Sequence, residues 1–221
     1  MKLYILLPEC DVEGDSPWDW VQLERDWMGE RDDNWNTPKR RGPEWKPLKA
    51  WIRPVQRQGD FYFFGPMPIV TARAWHAMEP ILGDSVEGLA VDVQSGVQLF
   101  ENDSLATPQL PKESGGRLVL MNVLDRVELR PGSVTRGRGI PPMSTLIGRF
   151  IFDETELCGK TIFRVMGNGI FYDHCIVSDV FKKAADEARL IGPEFVEIEW
   201  HSEEVREIDT DLIASGWSIV T

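Results

Sequence analysis

Two β-rich segments that flank a glycine–asparagine turn, and run directly into a helix, constrain the fold more than any other feature. The segments "KTIFRVM" (160–166) and "IFYDHCIV" (170–177) enclose "GNG", and glycine and asparagine accept the positive φ that a tight hairpin turn requires. "SDVFKKAADEARL" then predicts a helix with Ser178 as its N-cap and Asp179 at the positive end of its dipole. The chain is therefore expected to contain a hairpin followed by an amphipathic helix.

Short elements of both kinds are predicted along the rest of the chain. "PIVTARAWHAMEPIL" predicts a helix with Thr71 as its cap, and "SPWDWVQLERDWM" predicts a short helix capped by Ser16. Strands are expected over residues 2–7 and in "FYFFG", "VEGLAVDV", "VQLF", "RLVLMNVLDRVELR", "IGRFIFDE", "FVEIEWH" and "WSIV". These elements predict an α+β (or mixed α/β) fold, with a mostly antiparallel or mixed sheet and a few packed helices.

The first 60 residues differ in composition from the rest and hold six of the nine tryptophans. Residues 1–36 carry ten acids and three bases, whereas residues 37–59 carry seven bases and one acid. We therefore expect a tryptophan-rich, charge-segregated segment (1–60) packed on a main domain (61–221) with an acidic C-terminal tail. The basic stretch is expected to pair with the acids of residues 1–36. The tryptophans favour packing on the core over stacking on a sugar or peptide.

The charge and the apolar runs of the sequence exclude several classes of function. A net charge of −12 opposes binding to nucleic acid or an anionic membrane, because phosphate contacts need clustered lysine and arginine. No apolar run is long enough for a signal peptide or a membrane span, so a cytoplasmic protein is expected. The three cysteines (Cys10, Cys158 and Cys175) share no close spacing, so neither a disulfide framework nor a zinc knuckle is predicted.

The consecutive residues Asp173, His174 and Cys175 contain the residue types of a cysteine nucleophile and its base. On a strand, however, Asp173 and Cys175 face one side and His174 the other, so they cannot form a Cys–His pair by themselves. The other histidines, His76 and His201, offer no metal-binding spacing, and no nucleophile elbow or phosphate-binding loop is present in the sequence. No catalytic residue, metal site or cofactor is therefore predicted.

Four consecutive pieces carry a resemblance to a known family. They are "LVLMNVLDRVELR", "KTIFRVM", "IFYDHCIVSDVFKKAADEARLIG" and "FVEIEW", and "PIVTARAWHAME" precedes them. In order and spacing, the stretch from about residue 68 to residue 200 resembles the bacterial polymorphic-toxin immunity proteins of the myxococcal-type immunity domain, family eleven. The resemblance implies a cytoplasmic protein, without chemistry of its own, that binds and neutralises a cognate antibacterial toxin. The N-terminal 60 residues lie outside the resemblance.

An inhibitor of this kind needs aromatic anchors and a charge opposite to that of its target. Toxins that attack nucleic acid are usually basic, so an acidic chain favours a nuclease as the target. The predicted contact residues are tryptophans and acids near the two ends of the chain: Trp18, Trp20, Trp27, Trp35, Asp32, Asp33, Glu203, Glu204, Glu207, Asp209 and Asp211. Two alternatives stay open, a carbohydrate- or peptide-binding module that uses the N-terminal tryptophans, and an enzyme that uses His174 and Cys175. The sequence also leaves a homodimer open.

Overall fold

The computed structural model describes residues 1–8, 21–23, 39–52, 59–64, 67–93, 117–136, 147–167, 170–202 and 217–219. Over these ranges the chain is an α+β protein, as predicted. Its helices are α1 (Ala72–Leu82), α2 (Glu154–Leu157) and α3 (Asp179–Glu187). Its strands are β1 (Leu3–Pro8), β2 (Val21–Leu23), β3 (Leu48–Ile52), β4 (Phe61–Phe64), β5 (Met67–Thr71), β6 (Val86–Val93), β7 (Arg117–Val123), β8 (Arg126–Glu128), β9 (Val134–Arg136), β10 (Ile147–Ile151), β11 (Ile162–Gly167), β12 (Ile170–Ser178), β13 (Pro193–Ile198), β14 (Trp200–His201) and β15 (Trp217–Ile219).

The strands form three sheets, whose pairing is mostly antiparallel. The five-stranded sheet has the order β13-β1-β12-β11-β8, the six-stranded sheet β2-β3-β6-β7-β5-β4, and the four-stranded sheet β14-β10-β9-β15. Within the described ranges, the parallel pairs are β8 with β11, β3 with β6 and β10 with β14. The mixed sheets agree with the predicted class.

The predicted hairpin is present and forms the middle of the five-stranded sheet. β11 and β12 pair antiparallel from Ile162 opposite Val177 to Gly167 opposite Ile170. β1 then inserts between β12 and β13 and pairs antiparallel with both. Cys175 and Ile176 are both buried but belong to different hydrophobic clusters, because successive side chains of β12 point to opposite faces. Both faces of this strand are therefore covered.

Aromatic side chains pack α3 and α1 against the sheets. The ring of Phe181 in α3 lies 6.4 Å from Phe61 and 6.3 Å from Phe195, both edge-on. Met78 and Leu82 of α1 are buried in the same cluster. The buried residues of α3 are Phe181 and Ala185, whereas Val180 is 52% exposed. The helix begins one residue after Ser178, as predicted, but the Ser178 side chain makes no capping bond.

A buried carboxylate joins the start of α1 to the end of α3. Asp60 is 5% exposed and accepts bonds from the Thr71 hydroxyl at 2.8 Å, the backbone N–H of Ile191 at 3.0 Å and the guanidinium of Arg73. Arg73 also donates to the carbonyl of Ala188 at 3.1 Å, beyond the end of α3. Thr71 caps α1 by accepting from the N–H of Ala74 at 3.2 Å, as the sequence predicted.

Two predicted elements are wrong in the described residues. The single strand expected in "RLVLMNVLDRVELR" is divided into β7 and β8, which belong to different sheets. The division occurs at residues 124–125, where Leu124 donates to the carbonyl of Ser85 at 2.8 Å and the Ser85 hydroxyl donates to Asp125 at 2.7 Å. The helix expected over residues 16–28 fails at Val21–Leu23, because these residues pair with β3. The expected strand "VQLF" lies outside the described residues.

Candidate functional site

The residues predicted to contact a toxin all lie outside the described residues, so their placement stays a prediction. They are Trp18, Trp20, Trp27, Trp35, Asp32, Asp33, Glu203, Glu204, Glu207, Asp209 and Asp211. Trp45 is the one N-terminal tryptophan whose side-chain packing is described. It is half-buried, packs against the cluster around Leu89, and donates its Nε1–H to the carbonyl of Ala90 at 2.9 Å. This tryptophan therefore anchors its segment on the core.

The Asp173, His174 and Cys175 segment lies inside β12, and the strand separates its chemistry-bearing side chains. Cys175 is 2% exposed and packs in the cluster that contains Tyr4 and Leu6. His174 is half-buried and points to the opposite face of the sheet. The remaining histidines belong to other elements, His76 to α1 and His201 to β14. The segment therefore does not form a nucleophile and base by itself.

Burial also makes the Cys175 thiol unreactive. It raises the pKa of Cys175 to about 12, although the nearby charge of Arg164 acts in the opposite direction. A thiol with this pKa is protonated at neutral pH, and the thiolate is the form that attacks electrophiles and binds metals. The properties of Cys175 are those of a small buried hydrophobic residue.

A groove of about 600 Å³ lies beside α1 on the surface of the six-stranded sheet. The Trp75 indole lies on the backbone of β6 at Gly88: a Cβ added to Gly88 would be 2.5 Å from Cζ2 of that ring. Only glycine permits this close approach. Among the residues that line the groove are Ala72, Trp75, His76, Gly88, Ala90 and Asp92.

The polar groups of the groove are few. His76 contacts the carbonyl of Ala72 through Nδ1 at 2.5 Å, which fixes its ring against its own helix. The Asp92 side chain, which also lines the groove, is exposed and has an interaction partner of its own within the chain. An indole with one histidine and one carboxylate in a groove of this size is typical of a site for a small ligand or a single side chain. Sequence reasoning did not find this groove, since its lining comes from separate elements.

The basic segment docks on the six-stranded sheet through its backbone as well as through its charges. Glu87 accepts from the backbone N–H groups of Arg41 at 2.7 Å and Gly42 at 2.9 Å, and from the Asn122 amide at 2.9 Å. Burial alone would raise the pKa of Glu87, but these bonds and the charge of Arg40 lower it below its usual value. The Glu87 carboxylate therefore stays charged at neutral pH and fixes this segment.

The outer strand of the five-stranded sheet presents an acidic edge. β13 pairs with β1 over six consecutive residues, from Leu3 opposite Ile198 to Pro8 opposite Pro193. Glu194 and Glu197 are exposed, and Val196 is 39% exposed. Lys2 lies 2.8 Å from a carboxylate oxygen of Glu197, and both side chains are more than half exposed. These three side chains of β13 are therefore accessible to solvent.

Searches of the sequence against models of known protein families and against curated proteins found no match. Among the described helices, none has the length and apolar composition that crossing a membrane would require. Within the described ranges, no group of three or more histidine, cysteine, aspartate or glutamate side chains is placed to hold a metal ion.

Proposed function

We propose that this chain is an immunity protein that binds a cognate antibacterial toxin in the cytoplasm and neutralises it by covering its active surface. The observation that carries the proposal is the resemblance of four consecutive sequence pieces, in order and spacing, to the myxococcal-type immunity domain. In the structure those pieces correspond to β7 with β8, to β11, to β12 with α3, and to β13. They provide much of the scaffold rather than a set of reactive side chains.

Two properties of the described residues support binding rather than catalysis. The Cys175 thiol, with a pKa of about 12, is not available as a nucleophile at neutral pH. The strands that carry the resemblance pack into two hydrophobic clusters, one on each face of β12, which suits a rigid inhibitor that binds without rearranging. An inhibitor of this kind loses little conformational entropy on binding.

The charge of the chain supports a basic partner, and we favour a nuclease. A net charge of −12 steers a basic protein toward the chain and fits a cleft that binds phosphate. Steering of this kind depends on ionic strength, because salt screens exposed charges. The association rate with the toxin should therefore fall steeply between about 50 and 500 mM salt, because the Debye length is about 10 Å at 0.1 M and becomes shorter as salt is added.

Co-expression with the product of the adjacent gene tests the proposal. The neighbouring protein alone should arrest growth, and co-production of this chain should restore growth and yield a complex on size-exclusion chromatography. The Cys175→Ser variant should protect equally well, since the thiol takes no part. If the neighbouring protein is toxic but the chain neither binds it nor restores growth, the proposal is wrong for that pair. Protection that requires Cys175 without a stable complex would instead favour an enzyme.

The groove beside α1 favours a second candidate, a module that binds carbohydrate or peptide. The sequence alone assigned such binding to the N-terminal tryptophans, whereas the groove offers Trp75 for stacking on a sugar ring. Titration with soluble glycans, followed by the indole N–H signals in a ¹H–¹⁵N spectrum, tests this candidate. A shift confined to the signal that disappears in Trp75→Phe would favour it, and unchanged signals at millimolar glycan would exclude those glycans.

A further inference from the structure

The register of the five-stranded sheet determines which peptide groups of β13 point outward, away from β1. Ser178 in β12 donates its N–H to the carbonyl of Thr161 at 2.9 Å, on the β11 side. The peptide groups of Ser178 therefore point away from β1. Leu3 is the register partner of Ser178, so the peptide groups of Leu3 point toward β13 instead. The carbonyl of Lys2, the preceding residue, points the other way and accepts from Asp179 at 3.1 Å.

This alternation continues along β13. Leu3 faces Ile198 and Ile5 faces Val196, so the peptide groups of Ile198 and Val196 point inward and bond β1. The N–H and C=O groups of Phe195 and Glu197 consequently point outward, away from β1. Within the described residues, β13 is the end strand of its sheet. Phe195 and Glu197 thus offer the hydrogen-bond pattern to which another strand can pair.

The side chains of β13 determine which strand would fit. Pro193–Ile198 contains Glu194 and Glu197 and no basic residue. A second copy of β13 would therefore offer these carboxylates no basic cross-strand partner, and any register that places two of them opposite each other is destabilising. The same charges protect a free edge from self-association. A strand that carries lysine or arginine would instead form favourable cross-strand pairs with them.

We propose that β13 accepts a strand from a basic protein partner, through the outward peptide groups of Phe195 and Glu197. The inference rests on the proposed function in that it takes this partner to be the toxin. Glu197 already pairs with Lys2, but both side chains are more than half exposed, so a basic side chain of the partner can compete for the carboxylate at little cost. The acidic side chains of β13 favour a partner with basic side chains, and the outward backbone groups form the hydrogen bonds to the partner strand.

A proline substitution at residue 197 separates backbone pairing from charge. Glu197→Pro removes one outward N–H and keeps the inward bonds of Val196 and Ile198, whereas Glu197→Ala removes only the carboxylate. Proline is tolerated on an edge strand when its missing N–H faces solvent. We expect Glu197→Pro to bind the purified product of the adjacent gene at least tenfold more weakly than Glu197→Ala does, by calorimetry. Equal affinities of two folded variants would overturn the inference.

Amide hydrogen exchange tests the same pairing in the unmodified protein, and so does not depend on how Glu197→Pro folds. In the free protein, the amides of Phe195 and Glu197 should exchange quickly, and those of Val196 and Ile198 slowly. Binding of the toxin should protect the first pair and leave the second unchanged. A complex in which Phe195 and Glu197 exchange as in the free protein overturns this inference alone. Absence of any complex with the wild-type chain overturns the proposed function, and this inference with it.

Discussion

Substitution of Gly88 by alanine measures how closely the Trp75 indole is held against β6. The added Cβ would lie 2.5 Å from Cζ2, 2.7 Å from Cη2 and 2.9 Å from Cε2 of the ring. Ordinary contacts begin near 3.4 Å, so the rigid indole has to move outward by about 1 Å. That movement opens the packing between α1 and the sheet.

The expected cost follows from two opposing terms. Overpacking of this kind costs about 1–3 kcal/mol. Replacing glycine by alanine also restricts the unfolded chain, which returns about 0.4–1 kcal/mol. We therefore expect Gly88→Ala to lower the free energy of unfolding by about 1–2 kcal/mol. In a chain of 221 residues each kcal/mol lowers the midpoint of thermal unfolding by about 2–4 °C.

A double-mutant cycle with Trp75→Ala isolates the contact. Once the indole is absent, the alanine methyl group has room, so Gly88→Ala should be neutral or slightly stabilising in the Trp75→Ala background. Urea unfolding followed by far-UV circular dichroism gives the four free energies of unfolding. If Gly88→Ala has the same cost with and without the indole, the loss does not arise from this contact and the reasoning fails.

Three further predictions concern the Glu87 carboxylate, the thiols of Cys158 and Cys175, and the Asp60 carboxylate. Glu87→Gln should destabilise the protein by about 1 kcal/mol at pH 7. Because the pKa of Glu87 is lower in the folded protein than in the unfolded chain, the stability difference between wild type and variant should be complete above the unfolded pKa and should vanish as the pH falls through the folded pKa. Urea unfolding from pH 7 to pH 3 measures this. In a Cys10→Ser variant at pH 8, a thiol reagent should label Cys158, which is exposed, and should reach Cys175 only after denaturation; fast labelling of both would contradict the burial of Cys175. Asp60→Asn should lower the free energy of unfolding by about 3 kcal/mol, because the partners of the buried Asp60 carboxylate include a guanidinium. A shift of the urea midpoint equivalent to less than about 1 kcal/mol, which is the contribution of one ordinary hydrogen bond, would contradict this role.

The elements that the sequence predicted correctly depend on local chemistry. Thr71 caps α1 through an N–H only three residues away, and β11 and β12 are neighbours in sequence that pair with each other. The start of α3 after Ser178 is local in the same sense. The fold class follows from such elements, because their types and order are sufficient to define it.

The errors arise where contacts distant in sequence decide the structure. The break between β7 and β8 depends on Ser85, which bonds Asp125 across 40 residues of sequence. The groove beside α1 depends on Gly88 lying under Trp75, and the only sequence signal for it is a glycine inside a strand pattern. A glycine of that kind indicates that something approaches the backbone closely, but it does not identify the partner.

The basic segment shows why a charge count does not identify contacts. Its seven bases in residues 37–59 predicted pairing with the acids of residues 1–36, which lie outside the described residues. Among the described contacts, Arg40 pairs with Asp84, and the backbone N–H groups of Arg41 and Gly42 bind Glu87. The parallel pairing of β3 with β6 is what brings these parts of the chain together. Two of these bonds come from the main chain, so they do not depend on which side chains the segment carries. Composition predicts the charge of a partner, whereas strand register determines which carboxylate becomes that partner. In the same way, the acidic composition of β13 predicts a basic partner, whereas the register of its sheet determines which of its peptide groups point outward.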